Sequence, residues 1–459
     1  MRSPEVVATR SAPLRPLLTK ELREIIAGRA LWVMLLLMCP LVGYSFFQAV
    51  SLYGEASIAG QQSPVLAASL SPFDGVLVPS FGAAYVAVTL LFPFVAIRVL
   101  GQEKESGALR LLVQLPYRSA TLIGAKLLAV FAAWLLVSIP ALTVLVAWRL
   151  LGGHLALVET LNLVLGHLLY GLLVGAIALF AAAVTETSAT AAIVALAFTI
   201  GSWVLDFTLA GRPGILDQIA RLSLTQILRS FEQGLFSPGL VLGISAAIIG
   251  FAALASVWLP PGVGVRTKVA RSIACIIVTA LVLALVAQIR ASRDMTEDRR
   301  NSFSAADERV LATLSQPLRI NVHLAPEDPR FVDLQRNVLA KLERVMPDVV
   351  VRVAGARQPV AMGTGDDTYG QIEFAYGRRM DTTRSTSPRE ILPLLYDLAQ
   401  VTAPRPDPGG GYPGYPLVTD AWLGLLSFFG VLPALIALAW WFSRRPPSYT
   451  FASHAGDDP

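Results

Sequence analysis

The side chains able to do chemistry are few, and their spacing excludes more than it offers. Two pairs of carboxylates stand close together, Glu103 with Glu105 and Asp366 with Asp367. Such pairs can divide general acid and base work. Asp366 and Asp367, however, sit in the Gly-rich run GTGDDTYG, which reads as a solvated turn. Four histidines occur in 459 residues, and His167 has no Cys, His or carboxylate spaced to chelate a metal with it. The two cysteines, Cys39 and Cys275, fall inside apolar segments, so neither a disulfide framework nor a zinc cluster is expected. The pattern Gly-x-x-x-x-Gly-Lys-Ser/Thr is absent, and with it the loop that cradles nucleotide phosphates. Gly-x-Ser-x-Gly and His-Glu-x-x-His are absent as well. No catalytic residue, metal site or cofactor is expected in this chain.

The elements that position Glu103 and Glu105 are two long apolar segments. Residues 80–99 and 127–148 are each long enough to cross about 30 Å of hydrocarbon as a helix. Between them, the charged interruption 101–126 begins just after Arg98 and carries Lys104, Arg110, Arg118 and Lys126, so the positive-inside bias puts it in the cytoplasm. Within it, Ser106-Gly107 leads into ALRLLV, a short amphipathic helix stopped by Pro116. A second amphipathic segment, LLTKELREIIAGRA at 17–30, sets Leu17, Leu18, Leu22, Ile25 and Ile26 against Lys20, Glu21, Arg23 and Glu24. It reads as a helix lying in the headgroup region.

Composition agrees with a membrane setting. Hydrophobic residues make up 54% of the chain and charged residues 15%, against about 25% charged in soluble domains. The pI of 9.3 reflects Lys and Arg beside apolar segments rather than one long basic face, so nucleic acid is not an expected partner. Eight spans are expected, at 31–50, 80–99, 127–148, 161–184, 191–209, 239–259, 272–289 and 417–442. Loop 51–79 contains Glu55 and Asp74 but no Lys or Arg, and reads as an external stretch of turns. The basic loop 262–271 reads as internal. Residues 211–238 are amphipathic and are expected on the outer membrane surface, although their three arginines count against that side. Gly171 and Gly175 form a Gly-x-x-x-Gly face for close helix approach. The central thirds of the spans are nearly free of charge, which favours ATP-driven motion over proton or sodium coupling.

Residues 290–416 then fall outside, with both termini inside. This block reads as β-α-β-β-α around one mixed sheet: strands at 318–325, 348–354 and 371–376, helices at 329–345 and 387–400. Ser387 and Pro388 make the N-cap and first residue of the last helix. A Gly/Pro-rich tether, 404–416, joins the block to the eighth span. The expected fold is thus a polytopic α-helical membrane protein with about eight transmembrane helices and an inserted extracytoplasmic α/β domain.

The run EKESGALRLLVQLPYRSATLIGAKLLA resembles the loop of type-2 ABC exporter permeases. The resemblance implies an export-type permease whose arm, "elbow" helix and loop contact a dimer of cytoplasmic ABC ATPase subunits, which bind ATP and Mg. It implies contact roles for Glu103, Lys104, Glu105, Gly107, Leu109, Arg110, Leu112 and Arg118, and for Lys20, Glu21, Arg23 and Glu24 of the elbow. Such permeases pair with a second copy or a paralogue in the lipid bilayer of the bacterial inner membrane. The segment DMTEDRRNSFSAADERVLATLSQPLRINVHLA resembles the auxiliary domain of gliding-motility-type ABC systems, carried by Thr296, Phe303-Ser304, Leu314 and Pro317-Leu318. The chain then looks like a fusion: a cytoplasmic arm and elbow at 1–30, a six-helix core at 31–259, a basic loop and seventh span at 260–289, the α/β block at 290–416, the eighth span at 417–443 and a tail at 444–459. Two other classes fit the residues. One is a transmembrane scaffold or sensor whose external domain binds envelope partners, and the other a membrane enzyme using Asp366, Asp367 or His323.

Overall fold

Helices dominate because apolar runs of this length can satisfy their backbone in lipid only by bonding to themselves. The computed structural model describes residues 14–209, 223–289, 291–325, 328–346, 348–353, 369–405 and 412–444. The Asp366/Asp367 pair, the first half of segment 211–238, the centre of the tether and the tail beyond Arg444 lie outside the described residues. Among the described residues, eight helices are long and apolar enough to cross a membrane.

In chain order, the bundle comprises α1 (Leu14–Ala27), α2 (Arg29–Gln62), α3 (Phe73–Glu105), α4 (Ala108–Gln114), α5 (Ser119–Leu150), α6 (Leu157–Val184), α7 (Ser188–Leu209), α8 (Leu224–Glu232), α9 (Pro238–Trp258) and α10 (Val265–Val286). Several begin or end well beyond the apolar runs that mark them. Helix α2 continues to Gln62 and α3 opens at Phe73, so most of loop 51–79 is helical rather than a series of turns. Arg266, Lys268 and Arg271 lie in the first turns of α10 instead of in a loop. Hydropathy marks the stretch that suits hydrocarbon, whereas the helix ends where backbone bonding stops.

Helix α6 is the centre of the bundle, and its glycines explain how neighbours reach it. A Cβ on Gly171 would meet the Trp134 ring at 2.3 Å, and one on Gly175 would meet Val130 at 2.6 Å, so α5 lies directly on the Gly-x-x-x-Gly face. In lipid, such close packing supplies the dispersion contacts that hold helices together. At Gly166 the visitor is Phe231 of α8, 2.4 Å from where a Cβ would stand. For the described part of 211–238, from Ser223 on, this corrects the expected placement on the outer membrane surface: one face packs against other helices. Leu228 and Phe231 are buried, Tyr85 meets Thr225 at 3.3 Å, and Ser202 Oγ accepts from the Leu224 N–H, so α8 is wedged against α3, α6 and α7. Its Arg229 lies 3.5 Å from Asp206, which balances one of the three arginines that had counted against this location.

The α/β unit has a four-stranded sheet built from β3 (Leu318–Val322), β4 (Val349–Val353), β5 (Ile372–Tyr376) and β6 (Arg379–Thr383), in the order β4-β3-β5-β6. Strand β3 runs parallel to β4 (Ile320↔Val351) and antiparallel to β5 (Ile320↔Phe374), which makes the sheet mixed as expected. Strand β6 was not expected. Its sequence RMDTT lacks apolar alternation, and it exists as an exposed edge paired to β5 through the tight turn at Gly377, whose φ is +62°. Also unforeseen are the two-residue strands β1 (Leu235–Phe236) and β2 (Arg293–Asp294), which pair with each other, and helix α11 (Ala305–Leu311), capped by Ser304. Helix α12 runs through 329–345 with a π turn at Gln335–Leu339. Helix α13 (Pro388–Ala399) has Ser387 accepting from the Arg389 N–H. Ile320, Phe374, Val338, Leu342 and Ile391 form the unit's core. The last helix, α14 (Gly424–Ser443), starts later than residue 417 and lays Phe428 on Gly43 of α2.

Candidate functional site

The last turn of α3 carries Glu103, Lys104 and Glu105, and successive residues on a helix point about 100° apart. Each therefore reaches a different neighbour. Glu103 is buried and pairs with Lys20 of α1 and, at 2.7 Å, with Lys126 of α5. Lys104 Nζ donates to the carbonyls of Ala182, Ala183 and Thr185, at 2.7, 2.7 and 2.8 Å. Those groups end α6, where carbonyls lack helical partners and a cation suits the dipole. Glu105 accepts from the Ser188 N–H that opens α7, at 3.0 Å. Gly101, one turn earlier, makes room for the Ser188 side chain. Three consecutive residues thus tie α3 to α1, α5, α6 and α7.

Helix α1 contributes to the same cluster from its buried face. Leu17, Glu21 and Ile25 follow one another at four-residue spacing and are all buried, so a carboxylate stands in the middle of an apolar stripe. Its partner is Lys126, 1% exposed, whose Nζ lies 2.9 Å from Glu21 Oε1 and also donates to the Val99 carbonyl. Burial pushes the Glu21 carboxyl above the usual range, and Lys126 works against that shift. Burial would depress the Lys20 ammonium, but its hydrogen bond to Glu103 and the charge of Glu21 leave it raised. Glu21, Glu24 and Glu103 could together hold a metal ion by spacing alone. Lys20 and Lys126 already place two ammonium groups among them.

Not every residue expected to face a partner does so. Glu21, Glu103 and Leu109 are buried, while Lys20 and Lys104 are engaged within the chain. Arg23, Glu24, Arg110 and Arg118 are exposed, and Gly107 and Leu112 half-buried. Helix α4 carries the outward surface: Gly107, at φ +77°, turns the chain, Leu109 packs inward, and Leu111 and Leu115 stay exposed. Lys126 had been read as a marker of membrane side and as part of the run that carries the resemblance, not as a buried ion-pair partner; its apolar neighbours AKLLA were a signal that it is buried.

At the other end of the bundle, sequence reading missed Arg300 altogether. Its guanidinium pairs with Asp74 at the start of α3, with Glu159 at the start of α6 (2.6 Å) and with Asp298 (3.0 Å), and lies over the Phe73 ring. Burial pulls the Arg300 guanidinium down to about 10 and pushes the Asp298 carboxyl up. Around it, Asn301 donates to the Gln233 carbonyl at 2.6 Å, and Tyr415 stacks on His154 at 3.6 Å. Glu297 joins both rings, at 2.8 Å from each. These contacts dock the α/β unit on the bundle. His167, deeper in α6, packs edge-on to Phe81 and lies 3.7 Å from Glu232.

Residues 15–231 match the family model described as ABC-2 family transporter protein, a stretch running from the start of α1 almost to the end of α8. No curated protein and no solved structure matches the chain. The match supports a membrane transport subunit with multiple spans, of a kind that is not itself an ATPase. Helices α9, α10 and α14 and the α/β unit lie outside the matched residues.

Proposed function

We propose that this chain is the permease subunit of an export-type ABC transporter, driven by a separate cytoplasmic ATPase dimer that binds ATP and Mg. The observation that carries the proposal is the family match over 15–231, which takes in α1, α4 and the clamp at the end of α3. Permeases of that family normally work with a cytoplasmic ABC ATPase. The exposed side of α4, with Arg110, Leu111, Leu115 and nearby Arg118, is the contact we assign to it. Glu103, Lys104 and Glu105 act one step further in: motion of α4 pulls on the end of α3, and their bonds pass it to α1, α5, α6 and α7. A second permease copy or paralogue completes the pathway. The basic ends of α3, α5 and α10 face the cytoplasm of a bacterial inner membrane, and the α/β unit, with any envelope partner, faces the other side. Its fusion to the bundle follows the gliding-motility-type resemblance.

A mild-detergent pull-down of the tagged chain tests this reading. Wild type should bring down an ATPase, and a folded Arg110→Glu, Leu111→Glu variant should lose it. Failure of any ATPase to co-purify under several conditions would leave the scaffold reading in first place.

A further inference from the structure

Two cavities, neither used by the proposed mechanism, have lining residues at the short strand pair β1–β2, Ser237 next to β1 for one and Arg293 of β2 for the other. The first, of about 640 Å³, is apolar and lies between α6, α7, α8, α9 and α10, walled by residues such as Leu173, Phe198, Ile227, Ile244 and Val286. Its volume is within the roughly 300–1,000 Å³ of small-molecule sites. It reaches Ser237, Gly239 and Ile289. The second, of about 380 Å³, is mainly polar and begins at Ser292 and Arg293. The two are joined by the chain itself, since Phe236 pairs with Arg293 immediately beside Ser237.

Charge distinguishes the second cavity. It is lined by Arg293, Arg299 and Arg344, against Asp294 and Glu308. Asp294 is committed to its own loop, accepting from Thr296, Asn301 and Ser302. Glu308 accepts from the Phe303 N–H. Arg344 donates its Nε to the Ala340 carbonyl, and the charges of Asp294 and Glu308 act on its guanidinium, so Arg293 and Arg299 carry the surplus positive charge. Arg293 and Arg299 are exposed and form no ion pair with a described residue. Arg299 also holds a φ of +51°, a conformation uncommon for a residue with a side chain and one that collects at ligand sites. Guanidinium groups in this arrangement suit the oxygens of a phosphate.

We propose that the two cavities form one site for an anionic phospholipid, its phosphate held by Arg293, Arg299 and Arg344 and an acyl chain lying in the apolar cavity. Charge complementarity selects the headgroup, and the adjoining apolar volume selects an amphiphile over a free anion. The site needs no ATPase, so it stands or falls apart from the transport reading.

The test uses the full chain in phosphatidylcholine nanodiscs containing a small fraction of phosphatidylglycerol with a photoreactive group in one acyl chain. Irradiation and peptide mass spectrometry should find adducts on cavity-lining residues of α9 and α10. Arg293→Gln, Arg299→Gln should lower labelling about tenfold, the size expected for loss of a charge-assisted hydrogen bond. Gly243→Leu, Ala247→Phe, which fills the apolar cavity, should lower it as well, with melting temperatures checked for both variants. A photoreactive phosphatidylcholine should label the same residues weakly and without regard to the arginines. Equal labelling by both lipids, or labelling unchanged in the arginine variant, overturns the proposal. So does displacement of the lipid by inorganic phosphate while the cavity-filled variant binds normally, since the site would then take a free anion.

Discussion

The two ends of the helix bundle solve the same problem, holding charge in a low-dielectric setting, in different ways. At the basic end, Lys20 and Lys126 face Glu21 and Glu103, two charges of each sign. At the other end a single Arg300 faces Asp74, Glu159 and Asp298. The balanced cluster lies within helices and joins spans to one another. The unbalanced one joins a loop of the α/β unit to the bundle and depends on one residue. A permanent joint between spans and a dock between units are thereby distinguished by who supplies the counter-charge.

Substitutions can break that comparison in order of size. Lys126→Met should cost most, about 3–5 kcal/mol, because it leaves Glu21 and Glu103 buried against Lys20 alone. Thermal melting in detergent checks this, and adding Glu21→Gln should recover part of the loss; a single variant as stable as wild type would mean the cluster is hydrated. Arg300→Met comes next, at about 1.5–3 kcal/mol for the charged hydrogen bonds removed. Its signature is local: limited proteolysis should cut faster near 291–302 while the bundle melts almost as before, and uniform destabilisation would contradict a separate dock.

Lys104→Met should cost somewhat less, about 1 kcal/mol for a lost helix-end cation and its bonds to the α6 carbonyls. Hydrogen exchange at the end of α6 would report it, and unchanged protection there would remove Lys104 from the clamp. Smallest in stability is Arg110→Glu, Leu111→Glu on α4, expected within about 0.5 kcal/mol because both side chains are exposed. Its effect should appear only as loss of a partner in the pull-down. A large drop in melting temperature would show that α4 supports the fold instead.

Much of the architecture was legible from residue order. Long apolar runs marked all eight long helices, alternation marked β3, β4 and β5, and Ser387-Pro388 marked the start of α13. Strand β6 escaped because its edge position frees it from apolar alternation. Helix α8 was placed on the membrane surface because amphipathicity does not say whether the apolar face meets lipid or, as Gly166 allows, another helix. Of the candidate site, residue order placed Glu103, Lys104 and Glu105 at the end of an apolar run, but not which helix each side chain reaches.

What the residues determined alone was local: which stretches suit hydrocarbon, where basic residues gather and where helices start. Those follow from transfer free energies and backbone preferences that each segment carries with it. Tertiary structure alone decided that Glu103, Lys104 and Glu105 point to different helices, that Lys126 is buried between two carboxylates, and that Arg300 closes on three acids from distant positions. A charge reads the same in sequence whether it is solvated or paired, and only the fold brings its partner within reach.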